Sequence, residues 1–257
     1  MQKTLDFTDL LSLLDERSAA MRAAVASAPD LDVPVPTCPE WTLFDLAQHL
    51  GRGRRKWAAI VAAGPADAPS AESAARGAEA APREREALLA WLDASVRELA
   101  DALREAGPDR GCWTWWDRSV SPQTAGAVAR HQVQELAVHT YDVQVALGAP
   151  LPLPDEVALD GVEDFLLTCC AGDYHWPYEP ATIDYHATEG HTWRVELAAD
   201  GVRCTRLATA TSAADVSVEG TASELVLLFY GRVPVESLKM EGDRRPFDLV
   251  VAWDPDA

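Results

Sequence analysis

Residues 132–142 read QVQELAVHTYD, and the pattern of this stretch decides what the surrounding chain must build. Glu135 and His139 are four apart, Asp142 lies a turn further on and Gln132 a turn back. On a helix these residues share one face, with the Cβ atoms of Glu135 and His139 about 5–6 Å apart. Leu136, Ala137, Val138, Val143, Val145 and Leu147 surround the stripe. Polar groups on an otherwise apolar helix either face water or find partners inside the protein. A carboxylate and an imidazole at this spacing can meet one ion at about 2.0–2.2 Å, so the inward alternative is part of a metal site.

The helix carrying the stripe is predicted over 122–147, ended by Gly148, Pro150 and Pro152. Toward the N-terminus, apolar residues recur at three- and four-residue steps over 83–106, with Leu88, Leu92, Val96, Leu99 and Leu103 on one side. Residues 42–63 form another helix. Thr42 and Asp45 make a capping box, Trp41 and Leu46 sit where a hydrophobic staple would place them, and Gly64-Pro65 stops it. Residues 5–28 form the first helix, broken by the prolines of 29–39. The stretch 64–82 reads as a loop or crossover with a weak helix around 71–80. Four long helices make a bundle.

Beyond the proline-rich boundary at 149–154 the texture changes. Residues 155–170 read as helix. Alternating segments at 182–187, 192–197 and 216–220 suit half-buried strands, and helices close the chain at 221–230 and 243–252. The expected architecture is a helical bundle over 1–150 followed by a small α+β domain over 151–257.

Composition bounds the function. Nearly half of the 257 residues are apolar, so a packed core is attainable. A formal net charge of −19 repels phosphate backbones and anionic lipid, which argues against nucleic-acid and membrane partners. The local basic run Arg52, Arg54, Arg55 and Lys56 reads as a solvated helix face. No apolar run approaches the ~18–20 residues needed to cross a bilayer, and the opening MQKTLDFTDL lacks the pattern of a signal peptide; the expected setting is the cytoplasm. Five cysteines without a CxxC pair imply no disulfide framework there. Cys38 stands apart because it precedes a helix that offers a further ligand.

That ligand is His49, two turns into the capped helix and flanked by Leu46 and Leu50. Packing of the second helix on the fourth brings His49 toward Glu135 and His139. Two imidazoles and a carboxylate suit a first-row divalent ion, zinc foremost, with a coordination position left open. The competing readings are an exposed Glu–His pair and a satisfied core histidine. Trp113, Trp115 and Trp116 read either as packing or as a pocket mouth, and His131 as exposed or facing the site.

The segment CPEWTLFDLAQHLG, 38–51, resembles the signature of the mycothiol-dependent maleylpyruvate isomerase family, and RHQVQELAVHTYD, 130–142, resembles its second block. Residues 214–234 resemble the family's sterol-carrier-like C-terminal domain. The resemblance implies a DinB-like bundle in which His49, Glu135 and His139 hold zinc or another divalent metal. Asp142 would support a ligand histidine from behind. It implies an enzyme that uses mycothiol, a low-molecular-weight thiol, on a small electrophilic substrate, as an isomerase or an S-transferase. Thr140-Tyr141 stands where members often carry Arg-Trp, and Gln134 where a histidine is frequent. Two other classes remain open: a non-catalytic carrier with a structural metal, and a zinc-dependent hydrolase.

Overall fold

The computed structural model describes residues 5–208 and 214–254. Two compact units make up the chain: Met1–Trp115 with Gln123–Leu153, and Trp116–Pro122 with Pro154–Ala257.

The first unit contains α1 (Phe7–Ser27), α2 (Leu43–Ala63), α3 (Ala71–Gly77), α4 (Arg85–Ala106) and α5 (Ala125–Ala146). The four long helices are those expected, and α3 is the short helix in the crossover. Each start has a local chemical cause. At α2 the Thr42 backbone N–H donates to Asp45 Oδ2 at 3.0 Å while Asp45 N–H donates to Thr42 Oγ1 at 3.3 Å, the reciprocal capping box. Asp6 and Asp9 do the same for α1. Helix α5 begins at Ala125 and not at 122, because Thr124 is the residue that caps it.

Helix α2 packs chiefly on α4, and α1 on α5. Leu88, Leu92, Leu99 and Leu103 of α4 are fully buried, as are Leu43, Leu46 and Val61 of α2. Gly51 permits the close approach of these two helices: a Cβ there would lie 1.8 Å from Cζ3 of Trp91.

The basic run on α2 departs from the expected solvated face. Arg54 and Arg55 are 1% and 6% exposed. Arg55 pairs with Glu98 of α4 and, at 3.6 Å, with Glu79; Arg76 of α3 pairs with the same two carboxylates. The Arg55 guanidinium also lies 5.0 Å from the Trp91 ring centre. These partners come from two other elements, and together they tie α3 and α4 to α2.

In the second unit, α6 (Asp155–Phe165) runs into a π-helical turn at Leu166–Cys170, where a single helix to 170 was expected. A five-stranded mixed sheet follows, built from β1 (Ala181–Ala187), β2 (His191–Ala198), β3 (Gly201–Leu207), β4 (Val216–Gly220) and β5 (Lys239–Gly242). The strand order is β3-β2-β1-β4-β5; β1 and β4 run parallel and the other neighbours antiparallel. The edge strands β3 and β5 were not anticipated. Helices α7 (Ala222–Phe229) and α8 (Arg245–Ala252) complete the unit. Residues 116–122 join it by a short excursion: Val120 N–H donates to Ala171 O at 3.0 Å, and Ser119 bridges to Gly172. Among the described residues no helix is long and apolar enough to cross a membrane.

Candidate metal centre

The α2–α5 seam brings three of the sequence-derived residues together. One ligand atom each from His49, Glu135 and His139 lies within 4.8 Å of the other two. His49 Nε2 is 3.2 Å from Glu135 Oε1, and the two imidazole centres are 5.3 Å apart, nearly edge-on. Asp142 is reached from the same helix: its Oδ2 lies 2.8 Å from His139 Nδ1, and its side chain is fully buried. A carboxylate on Nδ1 holds that nitrogen protonated and leaves Nε2 of His139 as the lone-pair donor.

Donor chemistry and spacing fit a divalent ion. A tetrahedral ion with bonds near 2.1 Å keeps its donor atoms about 3.4 Å apart, so small side-chain adjustments suffice. Exposure falls from 42% at the His49 side chain to 21% at Glu135 and 13% at His139, so the group opens to solvent on one side only. Burial raises the pKa of Glu135. The hydrogen bond to His49 and positive charge on His139, His49 and His131 outweigh it and hold the carboxyl down at about 2. Gln132 Nε2 donates to the second Glu135 oxygen. Glu135 is thus an anion at neutral pH.

Arg54 is a buried cation within electrostatic reach of this carboxylate. Burial pulls its guanidinium down to about 10, opposed by the charge of Glu135 and helped by that of Arg22. Its Nε and Nη2 find no hydrogen-bond partner among the described residues.

His49, Arg52, Gly53 and Lys56 recur at helical spacing on one face of α2 and look into a cleft of about 690 Å³. Trp41, Trp57, Trp113 and Trp115 wall this cleft. Trp57 and Trp113 stack at 6.2 Å, and Lys56 Nζ stands 5.9 Å from the Trp113 ring centre. His131 also lines the cleft, edge-on to Trp115 at 5.7 Å. The tryptophan run therefore splits: Trp113 and Trp115 line the cleft, while Trp116 is buried in the second unit with its Nε1 donating to Pro122 O at 3.2 Å.

The loop before α2 sets one wall. Val35 N–H donates to Trp41 O at 2.9 Å and Trp41 N–H to Cys38 O at 3.1 Å, which holds the Trp41 ring 4.9 Å from that of His49. Cys38 Sγ reaches Asp142 Oδ2 at 3.4 Å, so the one cysteine singled out in the sequence stands beside the carboxylate that supports His139. Glu40 is the single non-glycine among the described residues with a left-handed φ, 74°. Such a backbone costs roughly 1–2 kcal/mol for a residue with a Cβ. Glycine would recover part of this, less its own entropy loss, so Glu40→Gly is expected to stabilise the protein by up to about 1 kcal/mol. A thermal melt checks this; a lower Tm would mean that the Glu40 side chain contributes more than its backbone costs.

Residues 11–144 match the family model described as the mycothiol maleylpyruvate isomerase N-terminal domain, and residues 156–248 match the corresponding C-terminal domain. The chain belongs to the mycothiol maleylpyruvate isomerase family. This is an enzyme family. Its fold is shared with a solved histidine-to-alanine mutant of the mycothiol-dependent maleylpyruvate isomerase, at a TM-score of 0.59 and 15% identity, covering 94% of this chain and 96% of that one. The crystal structure titled simply as that isomerase gives a TM-score of 0.56 at the same identity and coverage. No curated protein matches the chain.

Within this isomerase-family chain, sequence reasoning named His49, Glu135 and His139 and gave lining as one reading of Trp113, Trp115 and His131, but it did not place the other walls. Trp41 was read as a staple and Arg52 and Lys56 as solvated charge. For Arg52 and Lys56 the position on the His49 face of α2 was the available signal: 49, 52, 53 and 56 are successive steps along one helical stripe.

Proposed function

We propose that His49, Glu135 and His139 hold a divalent metal, zinc by the character of the donors, and that the protein is a mycothiol-using isomerase or S-transferase acting on a small electrophile. The convergence of three donors from two helices at the end of a tryptophan-walled cleft is the observation that carries this reading. The solved relatives, by title a mycothiol-dependent maleylpyruvate isomerase, supply the thiol and the isomerase class. On this reading residues 1–150 are the DinB-like metal domain and residues 151–257 the sterol-carrier-like one. A cytoplasmic setting, where thiols stay reduced, accords with a thiol cosubstrate.

A metal held by His49, Glu135 and His139 would supply Lewis acidity, which would lower the pKa of a thiol, ordinarily ~8.5, enough for its thiolate to form at neutral pH. The chain does the rest. Asp142 fixes the ring orientation and tautomer of His139. His49, His139 and His131 oppose protonation of Glu135. The tryptophans wall the cleft, and Arg52 and Lys56 stand in it opposite the carboxylates Glu40, Asp45 and Glu135. The thiolate sulfur bonds to one carbon of a conjugated cis double bond, whose electron pair moves onto the neighbouring carbonyl. Rotation about the new single bond and reversal of the addition expel the thiolate and leave the trans isomer. Proton capture at the adjacent carbon instead leaves a thioether, the S-transferase outcome.

Metal analysis of the purified protein should find close to one ion per chain, and mycothiol titrated into the cobalt-substituted form should give a sulfur-to-cobalt charge-transfer band. Protein that carries no metal and takes none up would overturn the assignment. Asp142→Asn should keep the fold but weaken metal affinity about 10–100-fold, the usual consequence of losing the carboxylate behind a ligand histidine. Unchanged affinity would remove Asp142 from the site.

A further inference from the structure

His139 belongs to a second trio of donors. One ligand atom each from Cys38, His139 and Asp142 lies within 4.8 Å of the other two, the same limit that holds for His49, Glu135 and His139. Asp142 Oδ2 is the hub: Cys38 Sγ lies 3.4 Å from it and His139 Nδ1 2.8 Å. A tetrahedral ion with a sulfur bond near 2.3 Å and nitrogen and oxygen bonds near 2.1 Å holds its S and O donors about 3.6 Å apart and its N and O donors about 3.4 Å. The thiol thus already stands near coordinating distance, and the imidazole has to move off the carboxylate by about 0.6 Å.

Local structure fixes all three donors. His139 and Asp142 are three apart on α5, so their side chains share a face. Cys38 is carried by the turn before α2, where its N–H donates to Val35 O at 3.0 Å and its carbonyl accepts from Trp41 N–H at 3.1 Å. The Asp142 side chain is fully buried and that of His139 only 13% exposed, so a charge placed between them is poorly screened by water. The donors differ in kind from the first set. Nitrogen, oxygen and nitrogen suit zinc, whereas a thiolate shifts the preference toward softer, thiophilic ions. The other four cysteines compete poorly, because ligation needs the thiolate. Burial pushes the Cys112 thiol up to about 11 and those of Cys170 and Cys204 up to about 12, and it holds Cys169 well above its ordinary value.

We propose that Cys38, His139 and Asp142 form a second metal position, selective for a thiophilic divalent ion, and that an ion there excludes one from the first set. Coordination forms a bond from the ion to Cys38 Sγ, with the thiol proton released to solvent, and another to His139 Nδ1. The proton that Nδ1 held beside Asp142 passes by way of solvent to Nε2, the nitrogen that the first set uses. One imidazole cannot serve both sets while it keeps a proton. A thiophilic ion thereby evicts zinc without taking its place. The second position needs nothing from the function proposed above; only the eviction of zinc rests on it.

Cadmium(II) titrated into the full chain tests this. The wild type should take up the ion with a thiolate-to-cadmium charge-transfer band, and bound zinc should appear in solution as the band grows. Cys38→Ser should lose that band and bind cadmium more weakly, by more than the ~10–100-fold that removal of a group behind a ligand costs. His49→Ala removes a donor of the first set only, so it should keep the band and bind cadmium as tightly as the wild type or more so. Helical circular dichroism shows that each variant is folded; should Cys38→Ser fail that check, Cys38→Ala takes its place. Cadmium bound as tightly by the folded Cys38 variant as by the wild type, a band that disappears in folded His49→Ala, or zinc fully retained while the band saturates would each overturn the proposal. A wild type that never held zinc would overturn the reading of the first set, and the band in His49→Ala would still decide the second.

Discussion

His139→Ala is expected to reduce bound metal from about one ion per chain to a small fraction of that, with the helical circular dichroism signal kept. The loss should exceed the ~10–100-fold drop that follows removal of a group behind a ligand, because a direct bond disappears. On the proposed ligand set His139 gives Nε2 to the metal, and its Nδ1 lies 2.8 Å from Asp142 Oδ2, so alanine would remove a donor and strand a fully buried carboxylate at once. That carboxylate keeps the Cys38 thiol at 3.4 Å, and the surrounding residues of α5 are small or aliphatic, so the helix should persist. His49→Ala should release metal as fully, since it takes away the donor from the other helix. Element analysis after gel filtration reads both variants. Full retention in both would leave the ligand set without support, and with it the thiol chemistry.

Gly51→Val should be strongly damaging, because Gly51 is buried where α2 meets α4. A Cβ at Gly51 falls 1.8, 2.4 and 2.7 Å from three carbons of the Trp91 ring, inside any permissible contact. Trp91 is poorly placed to yield, because the Arg55 guanidinium lies against its face and bonds its carbonyl at 3.3 Å. The helices must separate instead. Overpacking of this kind costs about 1–3 kcal/mol, and β-branching places valine at the upper end. For a protein of this size the expected fall in Tm is about 6–12 °C. Because His49 is two residues away on α2, metal affinity should fall in the same variant. A variant with wild-type Tm would show that α2 and α4 slide past each other more easily than their packing indicates.

The parts of the fold that local chemistry specifies were legible in the residues. Thr42 with Asp45, and the leucine series of α4, announced their helices because a cap and a 3.6-residue period act within one turn. Glu135 and His139 were readable as a pair for the same reason. Strands β3 and β5 were not, and both lie at the edges of the sheet. There an edge strand faces solvent and carries charge, as Arg203 and Arg206 do in β3 and Lys239 and Glu241 in β5, so the alternation that marks an inner strand is diluted. Burial of Arg54 and Arg55 was equally hidden. Glu79 and Glu98, which pair with Arg55, and Glu135, whose charge acts on Arg54, come from elsewhere in the chain, and nothing in a run of four basic residues foretells them.

The donors are unevenly distributed along the chain. Glu135 and His139 arise within a single turn of α5, whereas His49 enters from 86 positions earlier. A newly made or partly opened polypeptide thus offers a two-toothed clasp as soon as α5 coils, and gains its third tooth only once a long segment has closed, an event that loop entropy makes late. On the proposed ligand set, occupancy by the ion would gauge tertiary closure: at a free concentration a hundred times its dissociation constant it would hold the docked helices together by about 2.7 kcal/mol.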